Sequence, residues 1–219
     1  HKVIVLDNFV SGKKINLAHH KKKDVKIIRV DISKSKNLDK YFKKVDYVFH
    51  LAGLAEIIPS IKNPKKYFNT NVLGTLKVVE AAKRVGVKKL IYAASSSCYG
   101  SPKNFPTSER EKIDIKHPYG LTKFLGELIV LNYATNFNMP NISFRFFNVY
   151  GPRLNSSGQY SAVFGNFLKQ KRSKKPLTIV GNGKQTRDFI HVGDLINAFI
   201  KISKSRLVNK VYNLGSGKE

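Results

Sequence analysis

Short apolar runs alternate with longer amphipathic stretches along almost the whole chain. Five of these runs occupy residues 3–6, 25–30, 47–51, 90–94 and 142–147. The alternation predicts βαβ units, and therefore an α/β fold built on a doubly wound parallel sheet. Each run stops at small or polar residues. Because ligands bind outside the carboxyl ends of the strands in such sheets, the five strand ends indicate a single crevice.

Three amphipathic stretches predict helices between or after these strands. Residues 71–85 carry apolar side chains at helical spacing, and Gly86 follows where a C-terminal cap belongs. Pro118 favours the start of a second helix that runs to about residue 136. A third is expected over about 195–203, with Asp194 as its N-cap.

The alternating pattern breaks up over residues 151–188, where Gly, Pro, Asn and Ser become frequent. We expect the chain to leave the sheet there and to return through a strand over residues 210–214. The predicted organisation is a nucleotide-binding unit over 1–150, part of a smaller substrate lobe over 151–190, and a return to the sheet over 191–219.

Composition narrows the classes of protein that the chain fits. The single cysteine, Cys98, excludes an internal disulfide framework, and no spacing of His, Cys, Asp and Glu indicates a metal site. No apolar run approaches the roughly 18 residues of a membrane-spanning helix. The formal net charge is +26, but the lysines are scattered as singles, pairs and one triplet. We therefore expect solvated basic faces that attract anionic substrates, and no nucleic-acid partner.

Tyr119 and Lys123 stand four residues apart on the second predicted helix and therefore share a face. A lysine ammonium beside a phenol stabilises the phenolate, so we expect Lys123 to lower the pKa of Tyr119 toward neutrality. A tyrosine that acts as a general base requires such a shift. The same spacing also fits an exposed aromatic side chain beside a surface lysine, and the pair alone does not decide between these interpretations.

A run of three serines, Ser95, Ser96 and Ser97, follows the fourth apolar run. A hydroxyl at the end of a strand can hydrogen-bond a substrate oxygen and share its proton with a tyrosine. The alternative interpretation is a serine-rich turn that satisfies its own backbone.

Together these motifs resemble the extended short-chain dehydrogenase/reductase family of nucleotide-sugar epimerases and dehydratases. The resemblance covers almost the whole chain, in the family's order and spacing. The motifs that carry it are Asp7-Asn8, Val30-Asp31-Ile32, His50-Leu51-Ala52-Gly53, Asn71-x-x-Gly74-Thr75, Ser95-Ser96-Ser97-Cys98-Tyr99-Gly100, Tyr119-x-x-x-Lys123, Arg145-Phe146-Phe147-Asn148-Val149-Tyr150-Gly151-Pro152-Arg153 and Arg187-Asp188-Phe189-Ile190-His191-Val192-x-Asp194.

The resemblance implies a Rossmann-like sheet and NAD as the cofactor. By matching position, Asp7 accepts hydrogen bonds from the adenosine ribose, which favours NAD over NADP because a carboxylate repels a 2′-phosphate. The cofactor-binding residues that it implies are Asp7, Asn8, Ser11, Gly12, Asp31, Ile32, Leu51, Ala52, Gly53, Asn71, Tyr119, Lys123 and Phe147.

The same resemblance implies catalytic roles for three side chains: Tyr119 as acid and base, Ser95 as a second hydroxyl, and Lys123 at the nicotinamide ribose. Asn148 and Arg187 match the positions that bind the diphosphate of a nucleotide sugar. The substrate-binding residues that it implies are Ser95, Ser96, Tyr119, Asn148, Val163, Thr178, Ile179, Val180 and Arg187.

Structural interpretations remain open for several of these residues. Asp7 also fits a turn, and Arg187 with Asp188 also fits a local ion pair. His50 is expected to pack within its strand rather than bind a ligand, and His191 is expected to serve the structure.

The sequence departs from the family in two respects. It lacks the first strand and the glycine-rich turn that binds pyrophosphate, and it ends early. We therefore expect a fragment cut at both ends, with weakened NAD binding and an exposed sheet edge. In addition, Ser96 and Ser97 stand where dehydratases and decarboxylases of the family carry an acidic residue. Hydroxyls are poor acids and bases at pH 7, which disfavours both reactions.

What remains is an NAD-dependent epimerase that inverts C4 of a UDP-sugar through a transient 4-keto intermediate. The motif around the serines is most similar to 4-epimerases of UDP-N-acetylhexosamines and their uronic acids. A dehydratase, decarboxylase or reductase of the same family is the first alternative, and an inactive scaffold or a basic nucleic-acid binder is the second. The free thiol and the lack of a signal-peptide pattern favour a cytoplasmic location, and the family further implies a homodimer that meets through the helices after Asn71 and Pro118.

Overall fold

The computed structural model describes residues 1–153, 163–179 and 181–218. The strands are β1 (Val3–Asp7), β2 (Val25–Arg29), β3 (Tyr47–His50), β4 (Lys89–Ser95), β5 (Asn141–Phe146), β6 (Asn148–Tyr150), β7 (Phe189–His191) and β8 (Lys210–Leu214). The α-helices are α1 (Asp39–Phe42), α2 (Ile57–Lys62), α3 (Pro64–Tyr67), α4 (Gly74–Val85), α5 (Pro118–Phe137), α6 (Val163–Arg172) and α7 (Val192–Lys204). A π-helical turn (Phe68–Leu73) joins α3 to α4, and short 3₁₀ helices span Lys14–Leu17 and Ser96–Tyr99.

Every strand pair in the described part of the chain is parallel. The largest sheet has the order β3-β4-β5-β8, while β1 pairs with β2 and β6 pairs with β7. Parallel strands joined by helices confirm the predicted α/β, Rossmann-like fold.

The core lies on both faces of the central strand β4, which is buried along its whole length. Leu90, Tyr92 and Ala94 pack against α4 and α5, whereas Ile91 points to the other face with residues of α7. Successive strand residues face opposite sides, so burial on both faces requires a continuous apolar run. This double cover explains why the fourth run could be recognised in the sequence.

Helix boundaries differ from the sequence prediction at two places. The helix expected over 71–85 begins as the π-helical turn and becomes regular at Gly74, although Gly86 ends it in a left-handed conformation, as predicted. The prediction that Asp194 caps α7 was wrong. His191 is the N-cap, and its Nδ1 accepts a hydrogen bond from the Gly193 N–H at 3.2 Å. Asp194 lies in the first turn, where a carboxylate favours the helix dipole.

After β5 the chain forms the short strands β6 and β7, which pair with each other and contact Phe164 of α6 through Tyr150 and Phe189, before α7 and β8. The division into units over 1–150, 151–190 and 191–219 stays a prediction, as does the homodimer through α4 and α5. Within the described ranges, none of the helices combines the length and apolarity needed to cross a membrane.

Candidate active site

The end of β4 and the start of α5 bring Ser95 and Tyr119 together. The Tyr119 hydroxyl donates a hydrogen bond to Ser95 Oγ at 3.1 Å. Ser95 is buried, and its Oγ also accepts from the Ser97 N–H at 3.2 Å, which caps the 3₁₀ helix that follows β4. Part of the serine run therefore serves its own turn, while its first hydroxyl contacts the tyrosine.

The first turn of α5 is held by side chains around Tyr119. His117 is the N-cap, and its Nδ1 accepts from the Gly120 N–H at 3.1 Å. The His117 ring lies parallel to the Tyr119 ring, with centroids 5.9 Å apart. The Tyr119 N–H donates to Ser60 Oγ of α2 at 3.1 Å. The sequence pointed to Pro118 as the helix start but gave no role to His117 or Ser60.

Lys123 lies one turn after Tyr119 and is buried, with only 6% of its surface exposed. Its Nζ lies 4.5 Å from the centroid of the Tyr92 ring, and the Tyr92 hydroxyl donates to the Lys123 carbonyl at 3.1 Å. Burial lowers the pKa of Lys123 to about 7, although the Glu127 carboxylate opposes this shift. An amine with this pKa carries only part of its positive charge at neutral pH.

The pKa of Tyr119 departs from the sequence expectation. Burial raises it above its ordinary value, and the hydrogen bond to Ser95 offsets only part of this increase. The expectation that this pKa falls toward neutrality was wrong for the structure as described. The physical reason is that burial disfavours the charged form of both groups, so Lys123 offers a weakened charge to the phenolate.

A buried ion pair lies one further turn along α5. Arg145 on β5 donates to Glu127 through Nη2 at 2.6 Å and through Nε, while Ser143 Oγ donates to Glu127 Oε2 at 2.9 Å. Arg145 Nη1 also reaches the Tyr99 hydroxyl at 2.8 Å. Sequence reasoning missed the pair of Glu127 and Arg145. The four-residue spacing of Lys123 and Glu127 indicated only that these two residues share a face of α5.

Hydrogen bonds of His50 and Asn71 connect β3, the π-helical turn and α5 near Lys123. His50 is buried and lies 2.9 Å from Thr75 Oγ1, which donates to the Asn71 carbonyl at 2.6 Å. The Asn71 amide exchanges hydrogen bonds with the Leu54 backbone and donates to Thr122 Oγ1 at 3.0 Å. His50 therefore packs within its strand, as expected. The cofactor contact implied for Asn71 stays a prediction, because its side-chain hydrogen bonds described here join parts of the protein.

The residues implied for the adenosine end of NAD gather after β1 and β2. Asp7 accepts from the Phe9 N–H at 2.6 Å, which makes the turn that was the alternative interpretation of this residue. The Asn8 amide donates to Asp31 at 3.4 Å, and Ser33 donates to the same carboxylate through both N–H and Oγ. Burial would raise the pKa of Asp31, but the hydrogen bonds from Ser33 and Asn8 lower it below its ordinary value.

Two glycines let the backbone lie close to side chains of the implied NAD site. A Cβ on Gly12 would lie 2.7 Å from Asp7 Oδ2, and a Cβ on Gly53 would lie 3.2 Å from Asn71 Oδ1 and 3.7 Å from Lys123 Nζ. Side chains there would fill the space beside the Asp7 carboxylate and the Lys123 amine. The surrounding donors and acceptors therefore fit a dinucleotide. The other residues implied for the cofactor are Ser11, Ile32, Leu51, Ala52 and Phe147, of which Ile32 is buried in the core and Leu51 is exposed.

Asn148 and Arg187, implied for the substrate diphosphate, are both exposed. The Asn148 amide donates to the Asp188 carbonyl at 2.9 Å, and Arg187 Nη1 donates to the Thr186 carbonyl at 2.7 Å. The alternative of an Arg187–Asp188 ion pair is not found among the described residues. Asp188 instead accepts from the Ser216 and Gly217 N–H groups, at 2.6 and 2.9 Å.

The remaining residues implied for the substrate lie on α6, on the segment that follows it and on the 3₁₀ helix after β4. Thr178 is fastened to α6, since Gln170 Nε2 donates to its Oγ1 at 2.7 Å and Gln170 Oε1 accepts from its N–H at 3.2 Å. Ile179 and Val163 are exposed, and Ser96 is half-buried. Val180 lies outside the described residues. No cluster of metal-binding side chains occurs among the residues that the structure describes.

The fold and this arrangement of hydroxyls and a buried amine define an α/β nucleotide-binding protein equipped for proton transfer. The chain belongs to the NAD dependent epimerase/dehydratase family, whose sequence profile matches residues 1–215. This membership confirms the resemblance inferred from the motifs, and with it the predictions of an enzyme and of NAD as its cofactor.

The similar proteins are named for more than one reaction. The chain is 32% identical to the UDP-glucose 4-epimerase of Mycolicibacterium smegmatis, over 100% of this chain and 71% of that protein. It is 34% identical to UDP-glucuronic acid decarboxylase 4 of Arabidopsis thaliana, over 98% of this chain and 48% of that protein. The solved UDP-N-acetylglucosamine 4-epimerase from Methanobrevibacter ruminantium M1, in complex with UDP-N-acetylmuramic acid, matches with a TM-score of 0.95 and 34% identity, over 99% of this chain and 69% of that chain.

Proposed function

We propose that the protein inverts C4 of a UDP-sugar, using tightly held NAD. The observation that carries the proposal is the hydrogen bond from Tyr119 to Ser95, with the buried Lys123 amine one turn further along α5. A tyrosine and a serine within hydrogen-bond distance can exchange a proton with one sugar hydroxyl. The relatives named as UDP-sugar 4-epimerases support the same reaction.

Tyr119 takes the proton from the sugar 4-hydroxyl, and Ser95 shares a hydrogen bond with the reacting oxygen. NAD, when bound, supplies the hydride acceptor and donor at C4. Tyr119 later returns the proton to the oxygen of the inverted centre, so the net redox change is zero. Because burial raises the pKa of Tyr119, its phenolate needs the positive charge of protonated Lys123 to form at neutral pH.

The substrate has to turn its sugar while its nucleotide stays bound. Arg187 is exposed, and a planar guanidinium is the natural partner of phosphate oxygens, so we assign it to the diphosphate. Asn148 on the neighbouring β6 is the second candidate contact. The sugar itself, whether plain, N-acetylated or a uronic acid, is left to the assay.

Decarboxylation or dehydration is the second candidate function, because one of the relatives is a UDP-glucuronic acid decarboxylase. Both reactions call for an acid or base beside the sugar in addition to the tyrosine. The positions after Ser95 hold Ser96 and Ser97, whose hydroxyls do not ionise near pH 7. The residues that follow Ser95 therefore favour epimerisation.

The deciding experiment follows the sugar H1 and H4 signals by proton NMR. The protein expressed from the full reading frame is incubated separately with UDP-glucose, UDP-N-acetylglucosamine, UDP-glucuronic acid and UDP-N-acetylglucosaminuronic acid. A new galacto-configured signal is expected with one of them. The Tyr119→Phe protein keeps the ring but loses the hydroxyl, and its kcat is expected to fall by roughly 10²–10⁴-fold.

Each other outcome has a defined meaning. An accumulating 4-keto signal would identify a dehydratase, and a pentose product would identify a decarboxylase. Near-normal turnover by the Tyr119→Phe protein, with its NAD content unchanged, would refute the assignment of Tyr119.

A further inference from the structure

The main chain of Tyr119 is held from both sides by residues that do not touch its hydroxyl. Its N–H donates to Ser60 Oγ at 3.1 Å, and its carbonyl accepts from Thr122 Oγ1 at 3.0 Å. Thr122 in turn accepts from the Asn71 amide at 3.0 Å. Ser60 belongs to α2 and Asn71 to the π-helical turn, so segments distant in sequence converge on one residue of α5.

We propose that Ser60 is a positioning residue that sets the place and angle of the Tyr119 side chain by fixing its backbone. This inference rests on the proposed function, in which Tyr119 exchanges a proton with the substrate. Ser60 contacts the Tyr119 N–H rather than the phenol, so it acts through Tyr119 and takes no part in the chemistry.

The hydrogen bonds at the start of α5 show why Ser60 is required. The first N–H groups of a helix have no partner inside the helix. Pro118 has no N–H, Gly120 donates to His117 Nδ1, and Leu121 donates to the His117 carbonyl at 3.1 Å. The Tyr119 N–H is the donor that this turn leaves over, and its partner comes from 59 residues away.

Ser60 is itself fixed in one orientation. Its side chain is fully buried, and its hydroxyl donates to the Ile57 carbonyl at 2.5 Å. Because the single proton of the hydroxyl is committed to Ile57, the oxygen lone pairs are left to accept from Tyr119. A buried N–H that loses such a partner retains its desolvation cost, so the helix start is expected to shift in search of another acceptor.

The opposite side of Tyr119 gives the same support through a different element. The π-helical turn aims the Asn71 amide at Thr122 and at the Leu54 backbone. Irregular turns of this kind occur frequently at functional sites. With the carbonyl side held in this way, loss of Ser60 removes the support on the N–H side alone and allows the first turn of α5 to tilt.

The test compares Ser60→Ala with a matched control, Ser205→Ala, in the full reading frame. Ser205 has the same two contacts at the end of α7: its hydroxyl donates to the carbonyl three residues before it, Ile202, at 3.0 Å and accepts from the Leu207 N–H at 3.2 Å. Ser60→Ala is expected to lower kcat roughly 10- to 100-fold with little change in KM, since a displacement near 1 Å can cost about 10²-fold. Ser205→Ala is expected to keep the wild-type kcat.

A double-mutant cycle separates positioning from general weakening of the fold. If Ser60 acts through Tyr119, Ser60→Ala leaves the residual rate of the Tyr119→Phe protein unchanged. A further loss in that background, or equal kcat values for the Ser60→Ala and Ser205→Ala proteins, would overturn the proposal. If Ser60→Ala does not fold, Ser60→Cys carries the same comparison with a weaker acceptor of similar size. Full activity of Tyr119→Phe alone would instead refute the proposed function.

Discussion

Replacing Glu127 by Gln removes one charge from the buried ion pair with Arg145 while keeping the shape of the side chain. The two side chains are only 2% and 7% exposed, and their closest atoms are 2.6 Å apart. Removing one partner of such a pair leaves the other charge buried and uncompensated, which costs about 3–5 kcal/mol of unfolding free energy. For a chain of this size, the midpoint of thermal unfolding is expected to fall by roughly 6–20 °C.

The same change should move the pH profile of the reaction. Burial lowers the pKa of Lys123 to about 7, and the Glu127 carboxylate opposes that shift. Without the carboxylate the pKa falls further, so the ammonium form is lost at a lower pH. Since the proposed mechanism needs that ammonium beside Tyr119, the alkaline limb of the kcat profile should shift toward lower pH.

Thermal and urea unfolding measure the first effect, and kcat measured from pH 6 to 10 measures the second. The double variant Glu127→Gln with Arg145→Met is the control, because it removes the uncompensated charge and should be more stable than Glu127→Gln alone. An unfolding free energy for Glu127→Gln within 1 kcal/mol of wild type would refute the reasoning about the pair. An unshifted alkaline limb would refute its link to Lys123.

Two further substitutions test buried contacts of Tyr92 and His50. Burial lowers the pKa of His50 from 6.5 to about 3, so below pH 6.5 the unfolded chain binds a proton that the folded chain does not. The contribution of His50 to the free energy of unfolding should therefore fall by about 1.4 kcal/mol per pH unit as the pH drops toward 3. Urea unfolding at several pH values measures this, and the unfolding free energy of His50→Gln should depend less steeply on pH. A Cβ on Gly126 would overlap the Tyr92 hydroxyl. Gly126→Ala should therefore lower the unfolding free energy by about 1–3 kcal/mol, and an unchanged urea midpoint would contradict this packing.

The parts of the fold that could be predicted are those in which burial repeats along the chain. The run over 90–94 lies within β4, in which every residue is buried. Strands covered on both faces need consecutive apolar residues, which leave a local signal in the sequence. Helix α5 could also be predicted from the sequence, because Pro118 marks its start and the spacing of Tyr119 and Lys123 places them on one face.

Other parts of the site depend on contacts between distant segments and had no local signal. Ser60 stands in a short apolar stretch that no motif singled out, and its hydrogen bond to Tyr119 spans 59 residues. Arg145 was noticed only as part of a motif, although its guanidinium balances Glu127. In each case the sequence contains the residue, but the packing of strands and helices determines which side chain or backbone group it contacts.

The pKa of Tyr119 shows where reasoning from spacing reaches its limit. A four-residue spacing predicts that a lysine meets a tyrosine, but it contains no information on how deeply the two are buried. Depth decides the sign here, because desolvation acts against the charge on Lys123 and on the phenolate together. The Glu127 carboxylate favours that charge on Lys123, and Glu127 is itself paired with Arg145 of strand β5. The motif of such a proton-transfer site therefore predicts which residues are present. Their charge states depend on how deeply the packed core buries them.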